Sequence, residues 1–247
     1  MERCGILLDM ENRGIQYIHA FSVDNCLVKP ADPVFIGYCI SQGADCGNKV
    51  LCKSHAHEKV GVMAEKDGKP CVVEYSELSE KMAEMTDPLT GKLIYGAANI
   101  CNHFYTFDFL QTQILPNMNN MYHMALKKIP VWDEELEKIV TPEKNNGIKL
   151  ESFIFDVFSL STKMAVMKVP REEEFSPVKN APGSEADSPE TARRMMSDLA
   201  KQWLERSGAK LIGDIYSDDC EVSPLTSYGG EDLEIYKDQE VECPFNI

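Results

Sequence analysis

The sequence predicts a three-layer α/β domain, with a mostly parallel sheet between helices, followed by a small β region. Three observations predict it. Short β-like runs alternate with helix-period segments along most of the chain. Several of those helical segments carry recognisable start and stop residues. Beyond residue 209 only short β-like pieces and turns remain, so the expected division is 1–208 for the main domain and 209–247 for the C-terminal β region.

The opening residues place Ile6, Leu7 and Met10 on one side of a helix closed by Gly14. A strand over 15–23 follows and ends in Asp24-Asn25. Asp32-Pro33 starts the second helix, with Asp as cap and Pro in the first turn, and Phe35, Ile36, Cys39 and Ile40 recur at helical spacing. VGVMA and CVVEY flank Asp67-Gly68, a strong hairpin signal. A short helix over 78–85 precedes a buried strand, LIYGAANI. Helical stretches are expected over 107–115, 117–128 and 151–161, the last burying Phe153, Ile154, Val157 and Phe158. MAVMKV reads as a strand, and the polar run from Arg171 as a solvated loop. Ser188-Pro189 caps a helix with Ala192, Met196, Leu199 and Trp203 on one face, ended by Gly208.

With 247 residues and 43% hydrophobic content, the chain can remove roughly 70–75% of its unfolded surface from water without a disulfide or metal staple. The net charge of −15 argues against nucleic-acid and anionic-membrane surfaces, which need clustered cations. It does not argue against an anionic substrate, because a few lysines and a divalent ion can invert the field in one cleft. No apolar run reaches the length of a membrane span, and MERCGILLDMENRG does not read as a signal peptide. Nine cysteines without a CxxC pair read as reduced thiols, and the expected location is cytoplasmic. Cys52, His55 and His57 match no closed zinc spacing and read as part of a charged loop. In an open α/β sheet, ligands bind beyond the carboxyl ends of strands, which is where Asp24 stands.

The strings FSVDNCLVKPADPVFIGYCISQGADCGNKV, VGVMAEKDGKPCVVEYSELS, AANICNHFYTFDFL, KKIPVW, NNGIKLESFIFDVF, REEEFSPVKNA and CEVSPLTSYGGEDLE span nearly the whole chain. Together they resemble the eukaryotic UDP-N-acetylhexosamine pyrophosphorylases. The resemblance implies part of a Rossmann-like nucleotidyltransferase domain, similar to GT-A glycosyltransferase domains, with a mixed sheet. It also implies a reaction: UTP and N-acetylglucosamine 1-phosphate give UDP-N-acetylglucosamine and pyrophosphate, with Mg2+. Such in-line phosphoryl chemistry asks for positioning and charge neutralisation rather than a covalent protein intermediate.

Residue by residue, the resemblance assigns Asp24 to the magnesium and the uridine diphosphate, with Asn25 beside it. Gly61 corresponds to a close approach to the sugar, Glu74 and Tyr75 to the pair that reads the hexosamine, and Asn99 to a sugar contact. Phe153 corresponds to a wall of the N-acetyl pocket, and Lys149 and Lys179 to phosphate-facing, catalytic lysines. Read alone, Glu74-Tyr75 is an ordinary strand pair, Gly61 a strand glycine and each lysine a solvated side chain. His103 and His123 read as packing or solvated residues.

The chain departs from the family at the sugar pocket, at the nucleotide loop and between Ile215 and Cys220, where the family carries a longer insertion. Ala98 stands where the family carries glycine, which puts the sugar pocket's shape in question. The glycine-rich nucleotide loop, Leu-x-Gly-Gly-x-Gly-Thr-Arg-Leu-Gly, does not occur in this sequence. The expectation is therefore a chain corresponding to the later half of an enzyme, carrying the sugar side of its site. Two other readings stand beside it: an inactive truncated paralogue that binds a partner or forms a homo-oligomer, and a UDP-sugar pyrophosphorylase for another hexose.

Overall fold

The computed structural model describes residues 1–118 and 122–247. Helix α1 (Ile6–Asn12) buries Leu7 alone and leaves Ile6 42% exposed, so its apolar stripe is narrower than the spacing predicts. Strand β1 (Tyr17–Phe21) leads through the Asp24 turn to α2 (Pro33–Ser41). Asp32 Oδ1 accepts the Val34 amide at 2.9 Å, the cap that Asp-Pro predicts. Phe35 and Cys39 of α2 are buried against Phe104 and Ala165.

Strand β2 (Cys46–Cys52) is followed by the hairpin β3 (Val62–Lys66) and β4 (Lys69–Val73). Its turn residues, Asp67 at φ 54 and Gly68 at φ 74, both adopt the left-handed conformation that a tight hairpin requires. Strand β5 (Ala97–Thr106) runs through the middle of the sheet. Beyond it, β6 (His123–Lys127) pairs with β9 (Gly147–Glu151), and these enclose a small hairpin of β7 (Val131–Asp133) and β8 (Lys138–Val140). Strand β10 (Met164–Lys168) returns to the sheet. The long helix Pro189–Ser207 starts at a Ser188–Thr191 capping box and ends at Gly208, φ 95. Two short parallel strands, β11 (Lys210–Gly213) and β12 (Glu240–Cys243), lie near the C-terminus. Leu204 and Ala200 of the long helix pack with Cys220, Val222, Leu233, Cys243 and Phe245 into one cluster, joining that helix to the C-terminal region.

The sheet order is β10-β2-β5-β3-β4, with β1 also on β5. Only β10–β2 is parallel in that sheet; β2–β5, β1–β5, β3–β5 and β3–β4 are antiparallel, so the sheet is mixed and not mostly parallel. The reason is local. A parallel neighbour needs a crossover, usually a helix laid across one face, whereas a hairpin and the single helical turn Glu80–Ala83 fill most of the chain between β2 and β5. Alternation along β5 separates the two layers. Ala98, Ile100 and Phe104 face α2 and Phe175, while Asn99, His103 and Tyr105 face Phe155 and Phe158.

Two expected helices are replaced. The stretch 151–161 is the end of β9, a turn, and a short 3-10 helix (Asp156–Leu160); Val157 and Phe158 are buried but Ile154 is 57% exposed. The helix expected over 117–128 falls partly on 119–121, outside the described residues, and its later part is β6. Among the described residues, no helix is long and apolar enough to cross a membrane. All nine cysteines are free, and His57 pairs with Glu84 at 3.1 Å.

Candidate functional site

The turn after β1 is zipped to the segment that carries Lys179. Asn25 is buried; its Nδ2 donates to the Glu174 carbonyl at 2.8 Å, and its Oδ1 accepts the amides of Ser176 (2.8 Å) and Leu27 (3.2 Å). The Cys26 amide donates to the Ser176 carbonyl at 3.0 Å, and the Val178 amide to the Asp24 carbonyl at 2.9 Å. Asp24 and Lys179, 155 positions apart (179 − 24), thereby belong to one short antiparallel contact. The Asp24 carboxylate has no hydrogen-bond or ion-pair partner among the described residues, so it remains free for a ligand. Lys179 Nζ lies 5.9 Å from the centre of the Phe175 ring.

Gly61, Asn99 and Glu74 form a second group. The Asn99 amide donates to the Gly61 carbonyl at 2.8 Å. A side-chain carbon on Gly61 would stand 2.7 Å from Oε1 of Glu74 and 2.8 Å from Cγ1 of Val72, so the glycine is required for this carboxylate to lie there. Burial pushes the Glu74 carboxyl above its ordinary range, and Glu77, Asp156 and Glu151 add to that while His123 opposes it. Asn99 is buried, and its Oδ1 accepts the Cys101 amide at 3.1 Å and faces Nε2 of His103 at 3.3 Å. Tyr75, by contrast, is 47% exposed.

Cys101 connects the two groups. Its carbonyl accepts the Ser22 amide at 3.1 Å, and its Sγ lies 3.7 Å from Nδ2 of Asn99. Burial raises the thiol above its usual range, while the charges of Lys179, Glu74 and Asp24 all act on it. Cys101 sits at φ 52, a backbone conformation uncommon for a residue with a side chain. His103, behind it, is drawn down to about 3 by burial and by His19, so it stays neutral and serves packing.

Phe153 stacks on Phe155 with ring centres 4.9 Å apart and touches His123 at 5.2 Å. Lys149 is the least anchored of the expected residues. It lies 64% exposed on β9 and pairs with Glu151 at 3.1 Å; that acid is one of the charges acting on Glu74. Ala98 answers its own question. Its methyl is fully buried with Leu51, Ile100, Val169 and Phe175, on the sheet face away from Asn99, so it does not enter the pocket.

Two expectations are corrected. The run from Arg171 is not a solvated loop: Arg171–Glu174 is a helical turn whose last residue is buried. Glu174 accepts from Lys49 Nζ at 2.8 Å, and Lys49, fully buried on β2, also pairs with Asp32 at 2.5 Å. Lys29 adds a longer contact to Glu174 at 3.5 Å. Burial works to raise the Asp32 carboxyl, but the Lys49 hydrogen bond and charge, with the Val34 and Phe35 amides, hold it below its usual range. This network anchors the very residue whose carbonyl holds Asn25. His123 is likewise not a solvated side chain, since its ring faces both Glu77 and Asp156.

The family model described as UTP–glucose-1-phosphate uridylyltransferase matches residues 1–186. The chain belongs to that family. Within it, the chain is 48% identical to the UDP-N-acetylhexosamine pyrophosphorylase-like protein 1 of Xenopus tropicalis, over 97% of this chain and 50% of the relative. It is 45% identical to the UDP-N-acetylglucosamine pyrophosphorylase of Saccharomyces cerevisiae, over 93% of this chain and 48% of that one. The crystal structure of the Trypanosoma brucei UDP-N-acetylglucosamine pyrophosphorylase in complex with an inhibitor superposes with a TM-score of 0.77 at 32% identity, covering 93% of this chain and 47% of that chain. The chain thus spans about half the length of the curated relatives it matches. Its mixed α/β sheet is that of the nucleotidyltransferase-type UDP-sugar pyrophosphorylases.

Proposed function

We propose that this chain supplies the sugar side of a uridylyltransferase that forms UDP-N-acetylglucosamine and pyrophosphate from UTP and N-acetylglucosamine 1-phosphate. One observation carries the reading: backbone hydrogen bonds tie the Asp24 turn to Cys101 and to the Lys179 segment, and Asp24, Glu74 and Lys179, scattered along the sequence, all lie near enough for their charges to act on the Cys101 thiol. Glu74 and Asn99 accept and donate hydrogen bonds to sugar hydroxyls, Gly61 leaves room for the ring, and Phe153 gives an apolar wall for an acetyl methyl. Tyr75, next to Glu74 in the chain, is assigned to the same sugar by the family pattern. In the reaction a phosphate oxygen of the sugar phosphate attacks the α-phosphorus of UTP, and the bond to the leaving pyrophosphate breaks in line. Lys179, with Lys149 as a second cation at the rim, balances negative charge on the phosphate oxygens.

The residues fit a hard divalent cation such as Mg2+. Asp24 offers a carboxylate with no other partner among the described residues, and magnesium is commonly held by one or two carboxylates together with substrate phosphates and water. Asp24 would hold it, and the ion would supply further charge neutralisation at the phosphates. Free thiols at all nine cysteines agree with a cytoplasmic site of action. The relatives do not favour the non-catalytic alternative. The burial of Ala98 away from Asn99 removes the feature that kept a different hexose open.

Calorimetric titration of the chain with UDP-N-acetylglucosamine tests this reading. Binding is expected, and Glu74→Ala should weaken it by about 10–100-fold, the cost of losing a charged hydrogen-bond partner in a buried pocket. Equal affinity in the two proteins, or no binding to the parent chain, overturns the assignment.

A further inference from the structure

The two residues proposed to read the sugar, Glu74 and Phe153, are joined by an unbroken chain of hydrogen bonds with a histidine at its centre. The Glu74 amide donates to Oε2 of Glu77 at 3.2 Å. Oε1 of the same carboxylate faces Nδ1 of His123 at 3.4 Å. On the other side of the ring, Nε2 faces Oδ1 of Asp156 at 2.8 Å, and Oδ2 of Asp156 accepts the Phe153 amide at 2.8 Å. The Phe153 ring then closes over the imidazole at 5.2 Å. Three segments far apart in sequence meet here: the turn after β4, the first residue of β6, and the turn before the 3-10 helix.

A neutral imidazole has one N–H, and an ionised carboxylate only accepts. Both bonds from His123 can therefore form together only when the ring carries two protons. Acidic side chains approach from each element packed against it. Glu77 and Asp156 touch the ring, Glu74 lies close enough for its charge to act, and Glu151 is its register partner on β9. The cations of the same strand pair, Lys127 and Lys149, are engaged with Glu151 at 3.7 and 3.1 Å.

We propose that protonated His123 is the positioning residue of the sugar pocket, a clasp that draws the Glu74–Glu77 turn and the Phe153–Asp156 turn together so that carboxylate and aromatic wall face the same hexosamine. The inference rests on the sugar-side reading above. It makes the affinity for the sugar depend on the charge of a residue that touches no substrate. Burial works to lower the pKa of the ring, but the hydrogen bonds and charges of Asp156 and then Glu77 outweigh it and raise it above the usual imidazole value. The clasp is thus complete below the ordinary imidazole range and is released as pH rises through the raised folded value.

The test follows the His123 ring protons by NMR in the full chain, alongside calorimetry with UDP-N-acetylglucosamine from about pH 6 to about pH 9, the range in which imidazoles change charge. The diphosphate of this ligand keeps its charge across that range and its uracil N3–H begins to ionise only at the upper end, so the part of the pH dependence that His123→Gln removes belongs to the ring. In the parent protein the ring should titrate above the ordinary value, and the dissociation constant should rise about tenfold as it does so, in line with losing one charge-assisted hydrogen-bond link. His123→Gln should start weak and stay flat with pH. Glu77→Gln, a change at a half-exposed position, should lower the pKa of the ring and flatten the pH dependence of affinity, because an amide can donate to the neutral ring where a carboxylate cannot. A ring that titrates at or below the ordinary value, or an identical pH slope in His123→Gln, overturns the clasp. If the parent chain does not bind the ligand at all, the functional reading fails and the ring titration still decides whether the clasp exists. Should His123→Gln unfold, Glu77→Gln carries the same comparison.

Discussion

Lys49→Met is expected to destabilise the protein by about 3–5 kcal/mol, because it leaves the buried Asp32 carboxylate without a cation and Glu174 with only its longer contact to Lys29. For a chain of this size that corresponds to a fall in Tm of roughly 6–20 °C in a thermal melt. The lysine is fully buried between Asp32 and Glu174, and methionine fills its volume but not its charge. The penalty should shrink at low pH, since the orphaned acids can protonate. The Asp32 carboxyl is held below its ordinary value in the folded protein, so its contribution is present above that ordinary value and lost as pH falls through the depressed one. In Lys49→Met that depression disappears, and the melting points of the two proteins should converge in acid. Arg13→Ala, which removes the exposed Asp9–Arg13 pair at 3.2 Å, is the control and should shift stability by less than about 0.5 kcal/mol. An equally small shift for Lys49→Met would mean that the buried network does not hold the fold.

The second large effect is expected at Gly61. In Gly61→Ala the new methyl meets Glu74 Oε1 at 2.7 Å and Val72 Cγ1 at 2.8 Å, and of these only the carboxylate can move away easily. Because Glu74 moves rather than the backbone, stability should fall by only about 1–3 kcal/mol, the usual cost of overpacking. Affinity for UDP-N-acetylglucosamine should fall more, by about 100-fold, as for a recognition group displaced by an ångström. Calorimetry and a thermal melt on the same sample separate the two effects. A variant that melts early yet binds normally would show that Gly61 serves packing and not the sugar.

Much of the fold was legible because its signals are local. Asp32-Pro33 and Asp67-Gly68 specify their structures through neighbours one to three positions away, and both form as expected. The helix expected over 151–161 fails for a physical reason: Phe153, Ile154, Val157 and Phe158 recur at helical intervals, but β6 is available to pair with residues 147–151. A turn and a short 3-10 helix then place Val157 and Phe158 in the core with the same spacing. The candidate site was legible only through long matching strings. The seven residues CGNKVLC do not show what Lys49 pairs with, since its partners stand 17 positions earlier and 125 later. His123 is hidden in the same way, with partners 46 and 33 positions away. A lysine in the middle of an apolar strand was the one available hint, because such a residue must find carboxylates if the strand is central.

The proposal that Glu74, Asn99 and Lys179 meet on one sugar phosphate is tested most directly by a crystal structure of the chain with UDP-N-acetylglucosamine. The expected density places hexosamine hydroxyls within hydrogen-bond distance of the Glu74 carboxylate and the Asn99 amide, the acetyl group against Phe153, and a phosphate beside Lys179. A sugar bound elsewhere, or a phosphate turned away from Lys179, would contradict the account.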